Sequence, residues 1–411
     1  MSTHTETRTD LRLIVILLGA LTAIGPLTID TYLPAFSAIA ADLNTDVATV
    51  GLSMSSYFIG IAAGQLVYGP LLDVLGRKGP LIFGLVLYGV AALGCALSAN
   101  VQWLIGLRLV LALGACVGMV AARAVVRDLF PLNETARVFS TLMLIMGLAP
   151  IVAPTLGGII VATLGWRYIF ILLGVVAVLM LAGVWWILPA IAGHGRREAL
   201  HPRRALTDYL AVLAVPGVTP RMLTGCFHIA GLFAYLTASP LVFMELFGMS
   251  GPRYGWTMGA NALALIVGSQ VNARFLKHFS LRKVLWGANL LQVAVSILFV
   301  LTAALAPVSL WMVLAFAASY MFCLGFLLPD ITALIMEPFA REQAGSASAL
   351  LGSLQMAASA VAAGLVSWGY NGTIAVMAIG MPLCALAGMG MLWGERGLLL
   401  EPVDGPVQRS L

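Results

Sequence analysis

The segment AGHGRREALHPRRALTDYLAVLAVPG, Ala192–Gly217, is the longest hydrophilic stretch in a chain of 411 residues of which 61% are hydrophobic and 9% charged. Soluble domains carry about one quarter charged residues, so the sequence on both sides of this segment is read as membrane. A helical span needs about 20 mainly apolar residues. Six such runs precede the segment, at about 11–38, 47–69, 79–99, 102–126, 136–163 and 165–189, and six follow it, at about 219–243, 254–276, 284–305, 309–336, 343–368 and 373–393. Backbone in lipid must satisfy its own hydrogen bonds, and runs this long with helical rather than dyad patterning predict helices, not a barrel. The expected fold is an all-α polytopic membrane protein of twelve transmembrane helices in two pseudo-symmetric six-helix bundles. These are residues 1–192 and 218–411, joined by a linker at 193–217.

The placement of charge fixes a topology. With the N-terminus taken as cytoplasmic, the inner loops collect Arg77, Lys78, Arg127, Arg137, Arg196, Arg197, Arg203, Arg204, Arg274, Lys277, Arg282, Lys283 and Arg341, and the outer loops hold little beyond Arg167 and Arg253. This positive-inside bias puts both termini in the cytoplasm and explains the formal charge of +5 without a nucleic-acid partner. The first run follows Arg8 and Arg12, but it exceeds a signal-peptide h-region and lacks a cleavage site, so it reads as a retained helix. Cys95, Cys116, Cys226, Cys323 and Cys384 fall in apolar runs without metal or redox spacing and read as packing residues. No nucleophile pair, metal cluster or phosphate-binding loop argues for an enzyme or a cofactor. Uphill movement of a substrate then depends on an ion gradient.

Two halves with a site near the midplane are what a transporter with internal repeats presents. The repeat is faint: GPLLDVLGRKGP (Gly69–Pro80) follows the second run and NARFLKHFSLRKVL (Asn272–Leu285) the eighth, sharing a basic pair but not the aspartate or the glycines. In the first loop Asp73 and Arg77 are four apart and share a face if helical, while Gly69 would let another helix approach. The fifth run carries Gly147, Pro150, Pro154, Gly157 and Gly158, where prolines kink and glycines permit close packing.

These stretches carry a resemblance: IDTYLPAF (Ile29–Phe36), GQLVYGPLLDVLGRK (Gly64–Lys78), MVAARAVVRD (Met119–Asp128), APIVAPTLGG (Ala149–Gly158), GWRYIF (Gly165–Phe170) and EPFAREQAGSASALLGSLQ (Glu337–Gln355). In that order and spacing, over nearly the whole chain, the sequence resembles the major facilitator superfamily, and more narrowly the Bcr/CflA (bicyclomycin and chloramphenicol resistance) drug:proton antiporters. The resemblance implies a monomeric transporter of the bacterial inner membrane that exports drug-like compounds in exchange for protons, with membrane lipid as its surroundings. It implies that Asp73, Arg77 and Asp128 form a cytoplasmic network latching the halves in the outward-open state. It also identifies the fifth run with the family's antiporter motif, although Ala149 and Ala153 stand where that motif has glycine. A dedicated metabolite exporter and a non-transporting sensor on the same scaffold stay open.

Buried charge marks the candidate site. Arg108 lies inside the fourth run, and an arginine at the centre of a span costs about 2.5–3.5 kcal/mol on insertion scales, so it must face inward or snorkel. The family's glutamine three residues on is Leu111 here. Asp30 lies at comparable depth, which makes Arg108 its expected partner; a nearby cation favours the ionised acid and burial the neutral one, so Asp30 is read as the proton-coupling residue, with a fixed structural ion pair as the alternative. Asp330 stands where the family has asparagine and is a candidate second proton site, a contact for cationic substrates, or a buried acid that stays protonated, the last being the preferred reading. His228 is the one candidate imidazole relay and reads as structural. Tyr57, Gln65, Asn261, Gln270, Asn289, Gln292 and Gln355 read as interhelical glue. Tyr32, Phe36, Tyr57, Phe58, Met119 and Met146 are candidate walls of an adaptable substrate cavity.

Overall fold

Long apolar runs can leave water only as helices, and the computed structural model contains little else. It describes residues 3–191, 193, 202–305, 307–339 and 344–394; Arg196, Arg197, Arg341 and the Ala340–Gln343 part of the last motif lie outside the described residues. The helices are α1 (Thr3–Asp30), α2 (Phe36–Asp42), α3 (Val47–Leu75), α4 (Lys78–Ala96), α5 (Val101–Leu129), α6 (Leu132–Thr163), α7 (Arg167–Trp186), α8 (Pro202–Leu213), α9 (Val218–Ser239), α10 (Gly251–Phe275), α11 (Leu281–Leu305), α12 (Leu310–Met336), α13 (Ala344–Gly369) and α14 (Ala375–Gly394). Together α1 and α2 make one span, Leu11–Asp42, and α9 continues as a π-helical turn, Pro240–Leu246, to make another.

Eleven spans are apolar and long enough to cross a membrane by length and composition; the expected twelfth, α10, has the length but not the hydropathy. Its polarity has a location. Asn261 and Asn272 are buried, and α10 is walled by α6 on one side and α12 on the other. Part of the lower hydropathy therefore comes from asparagines that face protein rather than lipid, whereas Gln270, expected as interhelical glue, lies on the exposed side of the helix.

Packing repeats between the halves. In the first, α1 packs on α5 and α6, α3 on α5, and α4 on α5 and α7; in the second, α9 packs on α12 and α13, α10 on α12, and α11 on α12 and α14. These are two six-helix bundles of the same plan. Extensive helix contacts join them along α3 with α13 and α6 with α10, while α8, in the linker, packs on α13 and α9 and donates from the Tyr209 hydroxyl to the Leu66 carbonyl of α3 at 3.4 Å.

The α6–α10 crossing is not uniform. A Cβ built on Gly158 would lie 2.5 Å from the Gly251 carbonyl oxygen, one on Gly255 2.6 Å from Thr155 Cα, and one on Gly259 3.2 Å from the Ile151 oxygen; at Gly147 nothing comes within 4 Å. The two helices converge at the Gly158 end and part toward the end that carries the Gly69–Lys78 loop. There a cavity of about 480 Å³ lies between the bundles, lined among others by Gln65, Asp73, Arg77, Arg123, Asp128 and Tyr209. Gly69 faces this space with no atom within 4 Å of a Cβ, so the close approach expected there, and at Gly147, is absent because the bundles are apart at that end.

Candidate functional site

The first span breaks immediately after Asp30, where a short 3-10 turn, Leu33–Ala35, precedes α2. Its counterpart, the seventh span, changes to π-helix at Pro240. Irregular backbone at membrane depth occurs where protein covers it or a cavity needs it, and interrupted spans at matching places in two repeats point to a binding site. Pro34 and Pro240 are the sequence signals for this pair.

Arg108 is fully buried, but it does not pair with Asp30. Its guanidinium carbon lies 4.1 Å from the Tyr32 ring centroid and 4.6 Å from that of Tyr57, so the cation is held between two aromatic faces. Nη1 donates to the Thr28 carbonyl at 3.3 Å and Nη2 approaches Met54 Sδ at 3.2 Å, while Nε has no partner among the described residues. Helix phase explains the missing ion pair. Thr28 faces Arg108 and Tyr88, whose hydroxyl lies 2.7 Å from Thr28 Oγ1; Asp30, two residues on, is turned about 200° away around α1. Asp30 is 5% exposed and forms no hydrogen bond or ion pair among the described residues. A carboxyl so placed is left to take up a proton or to receive a cation.

The proposed walls are packed rather than open. Tyr32, Phe36, Tyr57 and Phe58 have no exposed surface. Tyr32 stacks edge-on with Phe36 at 5.3 Å, its hydroxyl lies 2.8 Å from Ser53 Oγ, and Phe58 meets Phe233 of the other half with ring centroids 4.4 Å apart. Only Met119 and Met146 of that set are half-buried. The Tyr57 hydroxyl has no hydrogen-bond partner among the described residues.

The three charged residues at the basic end do come together. Arg77 donates from Nε to Asp128 and from Nη1 to Asp73, each at 2.7 Å, and is itself 5% exposed. Burial works against its charge, but the two carboxylates outweigh that and hold the guanidinium above its ordinary value. All three belong to the first half. The bonds that cross to the second half nearby are Arg123 Nη1 to Ser348 Oγ at 3.2 Å and Ser353 Oγ to the Ala62 carbonyl at 2.9 Å. Arg123 was not singled out from the sequence, although an arginine four residues inside Arg127 on the same helix was the available signal. In α6, Gly157 packs against the Thr31 carbonyl, Gly158 against Gly251, and the Pro154 carbonyl against Gly255, so three of the five motif residues make the close contacts; Pro150 and Pro154 sit within a continuous helix.

Asp330 and His228 are each enclosed in the second half. Asn272 Nδ2 donates to Asp330 Oδ1 at 2.7 Å, tying α10 to α12. His228 Nε2 lies 3.3 Å from Asn289 Nδ2, and Gly388 covers the ring. Neither has a described bond to the Asp30 region.

Comparison with known proteins places these features in a family. The family model described as Major Facilitator Superfamily matches residues 17–363 and 221–407. The chain is 33% identical to an uncharacterized MFS-type transporter, YdgK, of Bacillus subtilis over 91% of this chain and 92% of that one. It is 29% identical to the bicyclomycin resistance protein homolog of Haemophilus influenzae over 90% and 93%. Among solved structures, a D-xylose–proton symporter superposes with a TM-score of 0.72 at 16% identity, covering 92% of this chain and 97% of the symporter; that likeness concerns the fold.

Proposed function

This chain belongs to the major facilitator superfamily, and from that premise we propose that it is a proton-coupled exporter of drug-like small molecules. The relative named for bicyclomycin resistance supports this substrate class. The observation that carries the coupling is Asp30, a buried carboxyl with no hydrogen-bond or ion-pair partner among the described residues, at the break in the first span. Proton and substrate then compete for one acid: arrival of substrate expels the proton, and reprotonation from the other side releases substrate. One charge moving through about 150 mV supplies roughly 3.5 kcal/mol, more than two decades of gradient for a neutral compound.

The remaining parts follow from this cycle. The basic end faces the cytoplasm, as do both termini, so the cavity beside Arg77 makes this an inward-open state. The bundles are 1–192 and 218–411, with 193–217 spanning between them, and the chain works as a monomer. In the outward-open state the second half closes onto the Asp73–Arg77–Asp128 cluster, which is already assembled to receive it. Gly157 and Gly158 let the outer end seal against leak. Asp330 serves as a protonated hydrogen-bonding tie to Asn272, and His228 as a structural polar contact.

The test is expression in a host lacking its own pumps, with growth scored across a compound panel that includes bicyclomycin and chloramphenicol. Resistance to several unrelated compounds that disappears with an uncoupler is the expected result. Export of a single metabolite, or resistance that persists under the uncoupler, overturns the proposal.

A further inference from the structure

The two basic loops end up in different circumstances. In the first half Arg77 is held by Asp73 and Asp128, and Lys78 Nζ donates to the carbonyl oxygens of Trp185 and Leu188. The corresponding segment of the second half carries Arg274, Lys277, Arg282 and Lys283, and no aspartate or glutamate occurs from residue 246 to residue 329. The side chains of Arg274, Lys277 and Lys283 are exposed and have no hydrogen-bond or ion-pair partner among the described residues. Topology explains why basic residues lie at this end, but it does not explain what lies beside them.

Directly alongside, α10, α11 and α12 enclose a cavity of about 410 Å³. Its wall is built largely of Phe275, Phe279, Phe322 and Phe326, Gly287 leaves room on the α11 side, and Lys283 is its only charged lining residue among those described. Because α11 packs mainly on α12 and α14, away from the first half, the cavity opens on the outer flank of the bundle, where the bilayer lies.

We infer that this cavity binds an anionic phospholipid from the leaflet at the basic end, with an acyl chain along the four phenylalanines and the phosphate at Lys283. An acyl chain matches the apolar wall, and an ammonium is a compact partner for a phosphate oxygen. Arg274 and Lys277 add a local positive field, which attracts acidic headgroups within about a Debye length. A cationic drug is disfavoured by the same field. A second copy offering the same face, which has no aspartate or glutamate from residue 246 to residue 329, would strip water from Lys283 without supplying a counter-charge.

The test uses the full-length protein in detergent, titrated with phosphatidylglycerol and, separately, phosphatidylcholine, with bound lipid counted by native mass spectrometry. Wild type should retain phosphatidylglycerol in preference to phosphatidylcholine. Lys283→Glu reverses the charge at the mouth and should weaken phosphatidylglycerol binding about tenfold while leaving phosphatidylcholine unchanged. Gly287→Phe fills the cavity, and its Cβ meets no atom within 4 Å, so it should fold and lose the bound lipid; if either variant cannot be isolated folded, the other decides. Equal binding of the two lipids by wild type, undiminished phosphatidylglycerol on the folded variants, or saturable uptake of a lipophilic cation that Lys283→Glu strengthens would each overturn the assignment.

Discussion

Two aromatic faces stabilise the Arg108 guanidinium without neutralising it, and the nearest acid on the same layer, Asp30, is left to do something else. Asp30→Asn should therefore insert, fold and bind substrate but fail to accumulate resistance. Proton release on adding substrate, measured with a pH dye in weakly buffered detergent, should vanish in that variant; undiminished release would make the acid scaffold. Asp330→Asn should be mild, since an amide oxygen still accepts from Asn272, and transport at wild-type rates within a factor of about two is expected. Asp46 offers a pH test outside the membrane. It caps α3 by accepting from the Thr49 hydroxyl and amide, at 2.7 Å each, and the Thr49 contacts hold its carboxyl below the usual range. A depressed folded value means the cap's stabilisation, about 1 kcal/mol, is present above about pH 4 and lost as pH falls through the folded value. The melting-temperature gap between wild type and Asp46→Ala should thus be constant from pH 7 to pH 5 and close in stronger acid. At this scale the sequence disclosed which ionisable groups are buried, because charge in an apolar run is rare. It did not disclose their pairing, because depth along two helices says nothing about rotation around them: Thr28, not Asp30, faces Arg108.

Helix α6 separates glycines that look alike in sequence. Gly158 touches the backbone of Gly251, whereas Gly147 has open space where its Cβ would go. Gly147→Ala should accordingly preserve transport and, by removing backbone entropy, stabilise by up to about 1 kcal/mol. Gly158→Leu cannot coexist with the observed crossing and should abolish export while leaving a folded protein. Labelling of a cysteine placed at the Gly251 end should rise in that variant; unchanged labelling with full export would refute the tight-crossing reading. The run of glycines and prolines was legible as a packing element, but which of its glycines are in contact depends on the angle between two helices far apart in the chain. The same holds for α10, whose asparagines made it the least apolar span and whose neighbours α6 and α12 supply the reason.

For the molecule as a whole, the division into six and six was readable from one hydrophilic segment. The conformational state was not, because both states use the same sequence and differ only in which end of the interface is closed. Arg77→Ala and Asp73→Asn act at this level: each leaves a carboxylate or a guanidinium short of a partner at the basic end. Both should insert at wild-type levels and lose at least about tenfold in transport, consistent with a shift of about 1.4 kcal/mol or more between the two states; full resistance from either, at equal expression, excludes a role in setting that balance. The α6–α10 crossing has a mechanical consequence. If Gly158 and Gly251 act as a pivot, the arm of α6 back to Leu132 is about 26 residues, roughly 39 Å at 1.5 Å per residue. A rotation of about 10° at the pivot then sweeps the far end through about 7 Å, wide enough to admit or exclude a small molecule, while the atoms at the pivot barely shift. Leverage of this kind lets a contact built from two hydrogen-only side chains govern access at the opposite face of the membrane.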